Sequence, residues 1–138
     1  GVEDTAGYAL HSVHDMGRLI EAAWNRKPAP ALANAYRDIA GKISPLEQVK
    51  RVQKLQSMKP DDPESHYALA RASLDAELWG EARGHLDELQ ATMAETPPAR
   101  FCRMMAELEE QEHGDTRAAR EWLEKAAAEE PEEEDIAV

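Results

Sequence analysis

Pro63-Glu64-Ser65-His66-Tyr67-Ala68-Leu69-Ala70-Arg71-Ala72-Ser73-Leu74, followed by Leu78-Trp79-Gly80-Glu81-Ala82-Arg83 and then by Leu86 and Leu89, decides how this chain is read. Tyr67, Ala70, Leu74 and Leu78 recur at steps of three and four, which gathers them on one face of a helix. Asp62 just ahead of Pro63 offers an N-cap, and proline suits the first helical position, where its missing N–H has no intrahelical partner to lose. The arrangement returns downstream. Thr96 stands before Pro97 as a second N-cap, and Phe101, Met104 or Met105, and Leu108 keep helical spacing. Upstream, Leu46, Val49, Val52 and Leu55 fall at steps of three and predict one amphipathic face.

Working outward, helix breakers divide the chain. Pro28 and Pro30 close a first segment; Gly41, Ser44 and Pro45 mark a turn; Lys59-Pro60-Asp61-Asp62-Pro63, Glu95-Thr96-Pro97-Pro98, Gly114-Asp115 and Pro131 follow. Pro63 to Pro97 is 34 residues, and Pro97 to Pro131 is 34 again. That period, filled by two helices, is the tetratricopeptide (TPR) length. The first unit also resembles the repeat in detail: Leu69-Ala70 in place of its Leu-Gly/Ala pair, Trp79 as the aromatic before the second helix, then Ala82, Leu86 and Leu89. The next unit offers Met105-Ala106, Gly114 at the turn, Ala119, Leu123, Ala126 and Pro131, with Thr116 where an aromatic is usual. Small residues at such places let two helices cross closely. Leu32–Ile39 with Pro45–Met58 reads as a degenerate earlier pair, and Leu10–Trp24 as the remnant of another.

Composition agrees. At 138 residues the chain fits one domain with a real core, and only 5% of it is aromatic, so Ala, Leu, Ile, Val and Met must fill that core. Sparse β-branched residues disfavour sheets, while alanine is the strongest helix former. The expected fold is therefore all-α: TPR-like helix-turn-helix repeats in a short right-handed solenoid. A single domain over 1–131 would hold a weak repeat at about 17–60 and repeats at about 63–96 and 97–131. Residues 132–138 read as an acidic, disordered tail.

The formal net charge of −12 is uneven. Residues 1–60 carry nine Lys/Arg against six Asp/Glu, and residues 61–138 seven against 22. An acidic second half argues against nucleic acid, which needs clustered cations to neutralise phosphates, and it repels an anionic membrane. Lys50, Arg51, Lys54 and Lys59 form the one basic stretch, read as a solvated helix face. One cysteine, Cys102, excludes an internal disulfide and a cysteine-based zinc site. No apolar run approaches the roughly 18–20 residues of a membrane-spanning helix.

Three stretches resemble one family in particular. They are Leu19-Ile20-Glu21-Ala22-Ala23-Trp24 running to Pro28 and Leu32; Leu55 with Pro60-Asp61-Asp62-Pro63-Glu64-Ser65-His66 and on to Leu78-Trp79-Gly80-Glu81-Ala82-Arg83; and Cys102-Arg103-Met104-Met105-Ala106-Glu107-Leu108-Glu109-Glu110 with Glu112-His113-Gly114-Asp115, continuing to Ala119-Arg120-Glu121-Trp122-Leu123. Together these are similar to the bacterial HemY-type, membrane-anchored TPR proteins associated with haem biosynthesis, over roughly residues 17–131. The likeness fails before Gly17. It implies an inner-membrane protein whose anchor lies outside this sequence, with the TPR part on the cytoplasmic side. It further implies a non-catalytic scaffold that organises or regulates tetrapyrrole enzymes, and no oxidase activity. The rival readings are a generic TPR peptide-binding adaptor unrelated to haem, and a tetrapyrrole-binding carrier.

Patterns that would carry catalysis are missing: no glycine-rich phosphate loop, no Gly-x-Ser-x-Gly, no His-Glu-x-x-His. His11, His14 and Asp15 share helical spacing suited to a metal, but read better as exposed residues. Cys102, Met104 and Met105 form a cluster suited to haem ligation, with His66, His85 and His113 available, yet Met105 falls at a core position and no haem-attachment motif exists. No cofactor and no metal is expected. What remains is a peptide groove lined from the first helix of each repeat: Tyr67, Arg71 and Leu74, then Arg100, Arg103 and Glu107. Guanidinium forks there would pair with the carboxylates of an acidic protein segment.

Overall fold

Proline and small polar residues set the helix starts. In this computed structural model, which describes the backbone of residues 2–129 and the side chains of residues 12–129, seven helices follow one another. They are α1 (Val2–Arg26), α2 (Pro30–Asp38), α3 (Pro45–Met58), α4 (Pro63–Asp75), α5 (Trp79–Ala91), α6 (Ala99–His113) and α7 (Thr116–Glu129). Among the described residues there is no strand, so the chain is all-α. The expected acidic tail at 132–138 lies outside the described residues.

Helices α2, α3 and α4 each begin on proline. Ser44 Oγ accepts from the Glu47 amide at 3.1 Å, and Asp62 Oδ1 from the Glu64 amide at 2.9 Å, which satisfies donors the helices leave open. Asp115 does the same for α7, accepting from the Ala118 amide at 2.9 Å. Thr96 does not cap α6. That helix starts at Ala99 because Pro98 follows Pro97, and a residue before proline is held out of the helical region. Pro98 itself stays extended, with ψ 153°. At the other end Gly114 adopts φ 62°, the left-handed stop that glycine takes without strain.

The chain separates into two compact units, residues 1–76 and 77–138. In the first, α3 packs along α4, α2 touches α1, α3 and α4, and α1 also reaches α3. Trp24, Ala33, Tyr36, Val49, Val52 and Leu55 are buried. Leu46 is not; it is 52% exposed. Three steps of three advance a helix by nine residues, about two and a half turns, so Leu46 ends opposite Leu55. Side chains also reach distant backbone carbonyls: Trp24 Nε1 donates to Leu55 O at 2.9 Å, and Ser65 Oγ to Lys59 O at 2.6 Å.

In the second unit α6 lies along α7 and also contacts α5. Phe101, Cys102, Met105, Ala106, Leu108, Ala119 and Ala126 are buried, so Met105 and not Met104 faces inward. Ala106 and Ala119, each 3% exposed, let α6 and α7 approach closely. The ring of Trp122 meets Phe101 edge-on, centroids 5.8 Å apart. Leu123, expected in the core, is 48% exposed, because Ala119, Trp122 and Ala126 take the side of α7 that faces α6. From α5, Arg83 Nη2 donates to Glu109 at 2.9 Å and Glu112 at 2.7 Å on α6.

Candidate functional site

Each half of the expected groove belongs to one unit. On α4, Tyr67 and Leu74 are buried, with Leu74 only 1% exposed, so it serves as core and offers little to a ligand. Arg71 stays half-buried and donates to Asp75 Oδ1 at 2.8 Å, one turn on. On α6, Arg103 is exposed, while Arg100 and Glu107 are half-buried; Glu107 accepts from Gln111 at 3.1 Å.

Arg71 opens onto a recess of about 520 Å³ within the first unit, lined also by Arg37, Asp38, Ile43, Gln48 and Asp75. Arg37 comes from the end of α2 and lies 3.7 Å from Asp75. The carbonyl of Arg37 accepts from Gln48 Nε2 at 2.9 Å, which ties α2 to α3. Burial lowers the Arg37 pKa; Asp75 and Asp38 oppose that shift and the Arg71 charge adds to it. Two guanidiniums thus face two carboxylates, and the recess is charge-balanced. The Arg71–Asp75 pair could be foreseen from its spacing of four. Arg37 could not, since nothing local links it to Arg71.

A second recess, about 380 Å³, is formed by Val13, His14, Gly17, Arg18 and Glu21 of α1 with Tyr36, Arg51 and Lys54. Its centre is a bonded set. Tyr36 Oη donates to Glu21 Oε2 at 2.7 Å, Lys54 Nζ lies 3.1 Å from Glu21 Oε1, and Arg51 Nη1 donates to Tyr36 O at 2.6 Å. The Arg51 guanidinium sits over the Tyr36 ring, 4.3 Å from its centroid. Burial first, then the Glu21 hydrogen bond, pushes the Tyr36 phenol up to about 12. Burial alone would raise the Glu21 carboxyl, but the bonds from Tyr36 and Lys54 and the Lys54 charge outweigh it and hold it below the ordinary glutamate range. The basic stretch is therefore not simply a solvated face: Lys50 and Lys54 are exposed, while Arg51 is half-buried and structural.

In the second unit, Trp122, Pro97, Gln90 and Lys125 edge a recess of about 350 Å³, with Lys125 Nζ 4.4 Å above the indole. Of the groups weighed for haem, Cys102 is wholly buried, its thiol 3.9 Å from the Pro97 carbonyl, and burial pushes its pKa up. Among the described residues no three His, Cys, Asp or Glu side chains cluster as a metal site. His14 and Asp15 are exposed, and the side chain of His11 lies outside the described residues. Nor is any described helix long and apolar enough to cross a membrane. Compared with protein-family models, with curated proteins and with solved structures, the chain matches none.

Proposed function

We propose that this chain is a non-catalytic protein-interaction scaffold built from tetratricopeptide-like repeats in a short solenoid. The observation that carries the reading is the 34-residue recurrence of Pro63, Pro97 and Pro131, joined to buried alanines at matching places. Ala70, Ala82, Ala106 and Ala119 are each 3% exposed or less, and each takes the position where the repeat demands a small side chain. Repeats of this kind present extended faces to partner proteins, and their function lies in those faces. Arg71 in the first unit and Arg100 and Arg103 in the second are the residues for acidic partner segments, through bidentate pairing with carboxylates. Tyr67 and Leu74 leave that set because both are buried.

The resemblance to HemY-type proteins supplies the setting: the cytoplasmic face of a bacterial inner membrane, beside tetrapyrrole enzymes. The test is crosslinking and affinity purification of the full-length protein from its host membranes, alongside Arg71→Ala and Arg100→Ala/Arg103→Ala variants. Tetrapyrrole enzymes recovered with the parent and lost in either variant support the scaffold and its setting together. A stable partner set without such enzymes leaves the scaffold and removes the haem connection. Haemin titration separates the carrier reading, which requires a saturable Soret shift.

A further inference from the structure

The recess between α1, α2 and α3 holds more positive charge than its own carboxylate can neutralise. Among the described residues Arg18, Arg51 and Lys54 line it, with the His14 imidazole, against the carboxylate of Glu21. Lys54 pairs with Glu21, and Glu21 also accepts the Tyr36 hydroxyl. The Arg18 charge also acts on Glu21 and helps to lower its carboxyl pKa. Arg51 is held by neutral groups: the Tyr36 carbonyl at 2.6 Å, the Gln48 amide oxygen at 3.4 Å and the Tyr36 ring. A half-buried guanidinium fixed this way has little side-chain entropy left to lose. In a chain of net charge −12 such a recess is anomalous.

We propose that this recess binds a compact oxyanion of two or more charges, a phosphate compound or the clustered carboxylates of an acidic chain segment. Arg51 supplies the preset fork, Arg18 and Lys54 supply further positive charge, and Gly17 lets α1 pack against Ile39 and Tyr36. The volume, about 380 Å³, suits a small ligand or a few acidic side chains. The inference stands apart from the scaffold reading, since it uses none of Arg71, Arg100 and Arg103.

The experiment titrates inorganic pyrophosphate, then a hexaglutamate peptide, into the 138-residue chain at constant ionic strength, by calorimetry and by amide NMR shifts. Arg18→Gln and Arg18→Gln/Lys54→Gln variants run in parallel, their folding checked by circular dichroism, because Arg18 and Lys54 are exposed. Saturable pyrophosphate binding that shifts the amides of Gly17, Arg18, Arg51 and Lys54 is expected. It should weaken about tenfold in Arg18→Gln and vanish in the double variant. Hexaglutamate displacing pyrophosphate makes the natural source a protein segment; failure to displace makes it a free phosphate compound. Absence of saturable binding at millimolar pyrophosphate, equal affinity in the folded double variant, or shifts confined to other residues would overturn the proposal.

Discussion

The indole Nε1 of Trp24 donates to the carbonyl oxygen of Leu55 across 2.9 Å, joining residues 31 positions apart. Neither residue has measurable solvent exposure. The bond fixes the end of α1 against the last turn of α3, where Leu55 O also receives the Lys59 amide at 3.3 Å. Trp24→Phe keeps an aromatic ring but removes the donor, and should cost about 1–3 kcal/mol. Trp24→Ala also leaves a cavity and should cost about 3–5 kcal/mol. Urea unfolding followed by circular dichroism measures both, and a Trp24→Phe variant as stable as the parent would contradict the role given to the bond.

Tyr36 makes stability depend on alkaline pH. Its folded pKa of about 12 exceeds the unfolded value of 10.0, so its contribution is complete below pH 10. Between pH 10 and about 12 the unfolded chain releases the phenolic proton while the folded chain keeps it, and up to about 3 kcal/mol is lost. Glu21→Gln removes the carboxylate that accepts the hydroxyl, so the loss should shrink. Ultraviolet phenolate titration, with denaturant midpoints at pH 9 and pH 11.5, measures the effect. An identical alkaline decline in Glu21→Gln would assign it to other groups.

The helices were legible in the sequence because their signals are local: proline at a first turn, Ser44 and Asp62 as caps, Gly114 as a stop. The inward face of α4 was legible too, since Tyr67, Ala70 and Leu74 mix steps of three and four and so track the helix period. Steps of three alone do not, which is why Leu46 drifted out to solvent while Leu55 stayed in. Thr96 was misplaced because two successive prolines delay a helix that one would start. The Glu21–Tyr36–Arg51–Lys54 set could not be read at all. Its members come from three helices, and only the packing of α1, α2 and α3 brings them together.

Cys102 should behave as core. Its thiol is fully enclosed, and burial raises its pKa, so little thiolate forms at neutral pH. In the native chain Ellman's reagent should react slowly, with the full thiol titrating only as unfolding denaturant is added. Cys102→Ala should cost stability but leave partner binding intact. Rapid stoichiometric labelling of the folded chain would show that α6 opens far more readily than its packing implies.

Glu77 is the one described non-glycine residue in the left-handed region, at φ 59°. It follows Ala76, the last capping residue of α4, and so takes the place where helices most often use glycine. A side chain there crowds its own backbone, while glycine meets no such crowding but starts from a freer unfolded chain. The first effect should win, because the left-handed position just after a helix C-cap is the one glycine takes without strain. Glu77→Gly is therefore expected to raise stability by about 0.5–1 kcal/mol, and Glu77→Val, whose branched side chain tolerates positive φ worst, to lower it. Thermal unfolding of the three proteins side by side gives the order. If Glu77→Gly were the least stable, the Glu77 side chain would have to make a contact worth more than the strain it carries.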